Sequence, residues 1–322
     1  MKAMVCTRYG TPDTLELQEL EKPLPKANEI SIKVQASTVT AGDCEMRSFT
    51  FPRYLRLPMR LLFGARKPRM KVLGQEFAGV VEAVGESQKR FKKGDRVVGS
   101  TGMKLGANAE YVCLPERYAI VPIPDGLDYE QAATIPTGGM NALFFLRKAN
   151  IQAGQKVLII GAGGSIGTIA VQLAKHEGAE VTAIDHQEKL DMLLSVGADK
   201  VIDYQRENFT ANGETYDVIF DIVGKNTFSQ AMGSLKSTGI YLIGNPSLGK
   251  ILQRFGGRRK GAGRVYVGVA DYKADDLRYL VDLFAQGKMR TVIDRTYPLE
   301  ELAQAHRYVE SGMKKGNVVM VH

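Results

Sequence analysis

Three glycines at three-residue spacing, Gly161, Gly164 and Gly167 in "GAGGSIG", stand between the apolar run "KVLII" and the helix-patterned "TIAVQLAK". The first glycine of such a turn permits a tight bend, the second lets backbone N–H groups approach a pyrophosphate, and the third lets helix and strand pack closely. The helix N-terminus adds partial positive charge. Asp185 closes the next strand-like run, "EVTAID", about 18 residues past Gly167. These residues predict a dinucleotide site in which Gly161, Gly164, Ser165, Ile166 and Gly167 meet the pyrophosphate and Asp185 accepts the ribose hydroxyls. A carboxylate there repels a 2′-phosphate, which favours NAD(H). Lys189 and Tyr204 could approach a phosphate and keep NADP(H) as the alternative.

The elements that must hold this turn are legible around it. From Lys156 onward, strand-like runs ("KVLII", "EVTAID", "KVIDY", "YDVIFDIVG", "IYLIGN", "RVYVGVA") alternate with helical stretches ("IGTIAVQLAKHEGA", "KLDMLLSVGA", "NTFSQAMGSLKSTG"). That rhythm implies right-handed crossovers and a parallel sheet covered on both faces, a doubly wound Rossmann domain. Val223, Gly244 and Asn245 then fall at carboxyl ends of strands, where open α/β sheets bind ligands. "YEQAATIPTGGMNALFFLRKA" before it has helical spacing.

The first hundred residues have another texture: short strand-like runs, "LELQEL", "EISIKVQAS", "FAGVVEAVG", "DRVVGS" and "AEYVCLP", divided by Pro, Gly, Asn and Lys turns. This predicts a β-rich, barrel-like lobe. The C-terminal "TVIDRTYPLEELAQAHRYVESGMKKGNVVMVH" resembles that lobe in texture and is expected to return to it. The expected division is a β-rich catalytic lobe over 1–122, a dinucleotide-binding domain over 123–290 and a return over 291–322.

Composition narrows the function classes. The 322 residues are 44% hydrophobic and 24% charged, ordinary globular values. No apolar run reaches the roughly 18 residues of a membrane span. "MKAMVCTRYG" lacks an apolar stretch behind its lysine, so a cytoplasmic address is expected. Cys6, Cys44 and Cys113 lie far apart without metal-ligand spacing and are expected as reduced thiols. The net charge is +8, and between Arg47 and Lys71 eight Arg and Lys residues occur with no acid. Apolar residues interleave with those charges, so 47–71 suits a membrane surface or an anionic ligand, although its prolines and glycines argue against a long amphipathic helix; a solvated cover over an active site is the plainer expectation.

Taken in order, the β-lobe, "GQEFAGVVEAVG", "FKKGDRVVG", "AEYVCLP", "AATIPTGGMNAL", "GAGGSIGTIAVQLAK", "GADKVIDY", "YDVIFDIVG" and the returning C-terminus resemble the medium-chain dehydrogenase/reductase superfamily, in its zinc-independent quinone oxidoreductase branch. The resemblance spans essentially the whole chain. It implies hydride transfer from a nicotinamide cofactor to a quinone or α,β-unsaturated carbonyl in a cleft between the two domains, by a homodimer acting on a small, hydrophobic substrate. Zinc-using members carry Cys near Thr40 and His at Gln75; neither residue here is a good zinc ligand, so no zinc is expected.

The resemblance also places Thr40, Asp43 and Gln75 on the cleft floor, with Thr40 where Asn is usual, and Asp43 with Arg47 as an ion pair fixing a loop. Tyr54 becomes the candidate donor to a reduced quinone oxygen. Thr137 and Asn141 match positions near the nicotinamide, and Asn317 a cofactor-proximal position where Lys is commoner. His176, His186, His306 and His322 are expected at the surface. An alcohol dehydrogenase is the rival enzyme reading, disfavoured because alcohol oxidation without zinc needs a base and no histidine lies near these motifs. A non-enzymatic relative binding nucleic acid or membrane through 47–71 is the rival of another class; only Phe49, Phe51, Tyr54 and Phe63 are there for base stacking, so nucleic acid is not expected.

Overall fold

A computed structural model describes residues 1–224, 228–245 and 263–322. Its strands and helices run β1 (Lys2–Cys6), β2 (Leu15–Glu19), β3 (Glu29–Thr38), α1 (Ala41–Ser48), α2 (Arg53–Phe63), β4 (Glu76–Val84), β5 (Arg96–Ser100), β6 (Tyr111–Pro115), β7 (Ile120–Pro122), α3 (Tyr129–Ala133), α4 (Pro136–Ala149), β8 (Lys156–Ile160), α5 (Ser165–His176), β9 (Glu180–Asp185), α6 (Leu190–Ser195), β10 (Lys200–Asp203), β11 (Tyr216–Asp221), α7 (Phe228–Gly233), β12 (Leu235–Ile243), β13 (Arg264–Val267), α8 (Ala274–Ala285), β14 (Ile293–Pro298), α9 (Leu302–Glu310) and β15 (Asn317–Val321). They form two compact units: Met1–Thr137 with Tyr272–Gly287 and Ile293–His322, and Gly138–Asp271 with Lys288–Val292. Sequence texture draws the first boundary at 122; contacts draw it at Thr137 and group α8 with the first unit.

The second unit is a six-stranded sheet in the order β10-β9-β8-β11-β12-β13, parallel at every pairing. The order reverses between β8 and β11, the topological switch point at which such sheets bind ligands. β8 reads "KVLII" because four of its five residues are buried, as expected of a strand covered on both faces. Each fully buried Ile or Leu there contributes about 1.5–3 kcal/mol through removal from water. The expected helix over 226–239 is shorter: α7 ends at Gly233 and β12 begins at Leu235. Leu235 pairs with Tyr216, and a register shift carries the strand through Lys236–Gly239; sheet pairing overrides a helix-like spacing. Asn226 and Thr227 lie outside the described residues.

The first unit holds a seven-stranded sheet along the path β14-β15-β3-β4-β5-β7, with β6 also on β3. Among the described residues this path is open, so the barrel-like expectation becomes an open mixed sheet. β15 runs antiparallel to β3 and parallel to β14. β3 is the hub, alternately serving β4, β6 and β15. Its ten residues are nearly all buried, which explains the dense Ile, Val and Ala of "EISIKVQAST". The basic stretch is more regular than its prolines suggest, because α2 runs eleven residues with Pro58 inside it.

Candidate active site and dinucleotide cradle

In the second unit, β8 delivers the chain into the glycine turn and α5 leaves it. Gly161 sits at φ +81°, a left-handed conformation that side chains rarely adopt. A Cβ at Gly161 would overlap Val223, and one at Gly167 would overlap the Ala162 backbone. Gly164 is the N-cap of α5 and brings no capping side chain. The start of this twelve-residue helix, with no side-chain cap from Gly164, has the amide geometry and partial positive charge that suit an anion.

Asp185 ends β9 beside this turn. Its Oδ2 accepts the Gly163 amide at 2.7 Å and its Oδ1 accepts the His186 amide at 2.8 Å. Lys189 Nζ lies 3.1 Å from Oδ1, and both residues are buried, 8% and 6% exposed. A side chain at Gly163 would meet Lys189 Cδ at 2.5 Å and Asp185 Oδ2 at 2.9 Å, so the turn, the carboxylate and the lysine are packed as one piece. The Tyr204 amide donates to the Asp185 carbonyl at 3.3 Å, and its ring lies 6.3 Å from that of His186. A carboxylate offers about four acceptor positions, and the chain fills three of them. Room remains for a ribose hydroxyl.

Beyond β11, Asp221 is fully buried. It accepts the Gly224 amide at 2.8 Å and the Tyr241 hydroxyl at 2.8 Å, which fixes the turn carrying Val223. A Cβ on Gly224 would overlap the Asn245 carbonyl. The structure thus gathers Gly161, Val223, Gly224, Gly244 and Asn245 at the carboxyl ends of β8, β11 and β12. Asp221 is missed by sequence reasoning, although an acid ending an apolar strand is the same signal that singles out Asp185.

The residues read in the first unit are buried polar groups on α1 and β4. Thr40 caps α1 in a reciprocal box: its hydroxyl accepts the Asp43 amide at 3.1 Å and donates to Asp43 Oδ2 at 2.6 Å. Asp43 Oδ2 also accepts the Thr40 amide at 2.9 Å. Burial raises the Asp43 carboxyl's pKa, opposed by Thr40, the Gly74 amide and the Gln75 side chain. Gln75 Nε2 stands 2.8 Å from where a Cβ of Gly42 would lie. Thr40 is therefore turned to Asp43, and the single proton of its hydroxyl is already given away. The expected Asp43–Arg47 pair is replaced: buried Arg47 pairs with Glu310 and donates to the Gly10 carbonyl at 2.7 Å. Four residues along from Asp43, Arg47 reaches away from the cap to Glu310 at the end of α9.

Glu76, beside Gln75, is wholly buried. Its carboxylate accepts the Thr38 hydroxyl, and the Thr137 amide at 2.6 Å. Burial lifts its pKa to about 7, with Asp43 adding to the rise. The sequence signal was present, an acid inside the buried run "EFAGVV", and a lone buried acid with no cation needs an explanation. Tyr54 lies half-buried on α2, and Asn141 half-buried on α4. Asn317 is 2% exposed in the β14–β15 ladder.

Two of the four histidines correct the surface expectation, whereas His176 is exposed as expected and His186 half-exposed. His306 is fully buried, 3.3 Å from Cys44 Sγ through Nδ1, and burial lowers its pKa to about 3. Burial pushes the Cys44 thiol up, so this is a neutral thiol–imidazole contact. His322 Nε2 lies 2.8 Å from Ser37 Oγ, and its pKa falls to about 4 for the same reason. Cys6, Cys44 and Cys113 are free and buried. Among the described residues no His, Cys, Asp and Glu side chains converge as a metal ion requires.

Residues 26–125 match the alcohol dehydrogenase GroES-like domain, and residues 196–320 match the zinc-binding dehydrogenase family. The chain is 30% identical to the NADPH-dependent alkenal/one oxidoreductase, chloroplastic, of Arabidopsis thaliana, over 99% of this chain and 79% of that protein. The chain belongs to the medium-chain dehydrogenase/reductase superfamily, in its quinone oxidoreductase branch. Among solved structures, the quinone oxidoreductase of Coxiella burnetii superposes with a TM-score of 0.90 at 28% identity, covering 100% of this chain and 99% of that one. Escherichia coli quinone oxidoreductase complexed with NADPH matches at 0.84 and 25% identity, with all of both chains covered.

Proposed function

We propose that this member of the branch reduces quinones or α,β-unsaturated carbonyls with a nicotinamide cofactor, NADH in preference to NADPH, and without zinc. The observation that carries the reading is the glycine turn at the switch point of the parallel sheet, closed by the buried Asp185–Lys189 pair. When bound, the reduced nicotinamide supplies the hydride, and an acceptor that is already electrophilic needs alignment more than a Lewis acid.

The residues present fit such a group. Gly161, Gly163 and Gly167 let the turn pack directly against Val223, the Asp185–Lys189 pair and the Ala162 backbone, and Gly164, Ser165, Ile166 and Gly167 form the amide-bearing start of α5. Asp185 keeps an acceptor position for the adenosine ribose. Its charge is compensated by Lys189, so discrimination against a 2′-phosphate is modest, about tenfold, and Lys189 with Tyr204 defines where that phosphate would go. The names of the relatives, which include NADPH users, support the cofactor class.

In the first unit the half-buried Gln75 is the side-chain amide offered to a substrate oxygen. Thr40 instead acts on Asp43 and is a positioning residue. Tyr54 stays the candidate donor to a developing oxyanion. By the resemblance, the working species is proposed as a cytoplasmic homodimer, which sedimentation of the purified protein checks. The reaction itself is tested by mixing enzyme and NADH with a quinone, an alkenal or, with oxidised cofactor, a primary alcohol. Consumption of NADH by the first two and none of the oxidised cofactor by the third is the expected result; turnover of the alcohol alone overturns the reading.

A further inference from the structure

The reaction makes no use of the outward face of α2, whose composition is unusual for a helix exposed to water. Helical periodicity sorts ten of its eleven residues into three stripes, with the half-buried Tyr54 beside the third. Leu55, Met59 and Phe63 form the inward stripe: the first two are half-buried, and buried Phe63 lines a small apolar cavity with Tyr9, Met46, Phe51, Met70 and Leu73. Arg53, Arg56 and Arg60 form a basic stripe, all exposed. The third stripe pairs Leu57 with Leu61 and Pro58 with Leu62. There Leu57 is 72% exposed, Leu61 68% and Leu62 48%.

Packing on its own unit thus satisfies only one of two apolar stripes. Arg60 is turned back, donating to the Ala65 carbonyl and lying 4.6 Å from the Phe49 ring centroid, while Arg56 Nε donates to the Phe51 carbonyl at 3.1 Å. The cations continue past the helix, since Arg66, Lys67, Arg69 and Lys71 are all exposed. The whole stretch from Arg47 to Lys71 carries no Asp or Glu. No described helix is long and apolar enough to cross a membrane.

From this geometry we propose that α2 lies in the surface of an anionic lipid bilayer, with Leu57, Leu61 and Leu62 entering the acyl boundary. Arg53 and Arg56, and the cations from Arg66 to Lys71, then meet the lipid headgroups. Leucines beside a basic stripe are the arrangement by which in-plane helices bind: apolar burial supplies depth, and cations gain from a negative surface within a Debye length. Long Arg side chains reach the headgroup layer while their stems stay apolar. The acid-free charge is what selects lipid over a second copy of this chain, because two such faces would bring the seven exposed cations of each copy together at a dimer seam.

Flotation of the full-length protein with vesicles of phosphatidylcholine alone, or mixed with phosphatidylglycerol, tests this. Partition onto the mixed vesicles is expected to exceed that onto the neutral ones by about tenfold or more, and to collapse in about 1 M salt, where the screening length falls to ~3 Å. Leu57→Glu/Leu61→Glu is expected to abolish it, with circular dichroism and quinone reduction unchanged because both positions point to solvent. Replacing Arg66, Lys67 and Arg69 by Gln is expected to remove the anionic preference. Equal partition onto both vesicles overturns the proposal. So does a leucine variant that binds vesicles normally but loses self-association in sedimentation, which would assign the face to a second copy.

Discussion

Two buried carboxylate sites, one in each unit, solve the same problem in opposite ways. Asp185 lies against a lysine and two backbone amides, so its charge is held and one acceptor position stays open. Glu76 lies between a hydroxyl and an amide with no cation beside it, and burial raises its pKa to about 7. The first is built to keep a charge next to a binding turn. The second is a proton holder within the fold, neutral on the acid side of pH 7. Buried acids are thus not interchangeable evidence of function: the partner set decides.

The largest effect expected from breaking the first site is at Gly167. A Cβ there overlaps backbone that cannot step aside, so Gly167→Val should weaken cofactor binding by more than about 100-fold, or ~2.7 kcal/mol, together with a lower melting temperature. Fluorescence titration with NADH reads the first effect and thermal unfolding the second.

For the second site the sign follows from the direction of the shift. Glu76 moves from 4.5 to about 7, so between those values the folded state holds a proton that the unfolded state has lost. Its contribution to stability is full below about 4.5, falls as pH rises, and is gone above about 7. The slope is at most about 1.4 kcal/mol per pH unit in that window. Glu76→Gln should flatten it, as measured by denaturant unfolding at a series of pH values; an unchanged slope would show that another group carries it.

Thr40 sharpens the contrast on a smaller scale. Thr40→Val removes the cap of α1 and a hydroxyl bonded to buried Asp43, an expected loss of about 2 kcal/mol, with Thr40→Ser restoring most of it. Unfolding midpoints check this. A Thr40→Val enzyme of normal stability with a reduced kcat would instead make the hydroxyl a donor to substrate.

The two regions also differ in how far they could be read from residues alone. The cradle was nearly all legible, because its parts are adjacent in sequence: the glycine spacing, Asp185 at a strand end and Lys189 one helical turn later. The parallel pairing of the sheet followed from the strand–helix rhythm for the same local reason. The first unit was legible in its strands but not in its contacts. Asp43 is taken up by the local cap of α1 through Thr40, three residues away, while Arg47 reaches Glu310, 263 residues on, a separation no local pattern encodes. The burial of His306 follows from α9 packing in a core with Cys44, Leu73 and Met320, which a single sequence does not announce. Pro58 was read as a breaker, yet it lies exposed inside α2, which continues past it to Phe63.

The claim that the second unit reads the adenosine end through a compensated carboxylate is tested most directly by calorimetric titration of NADH and NADPH. The titrations are run on the unaltered protein, on Asp185→Ser and on Lys189→Ala. The account predicts NADH tighter by about tenfold, or ~1.4 kcal/mol, erased in Asp185→Ser and widened in Lys189→Ala, where the carboxylate is left bare. Tighter binding of NADPH to the unaltered protein would contradict it and make Lys189 with Tyr204 the phosphate site.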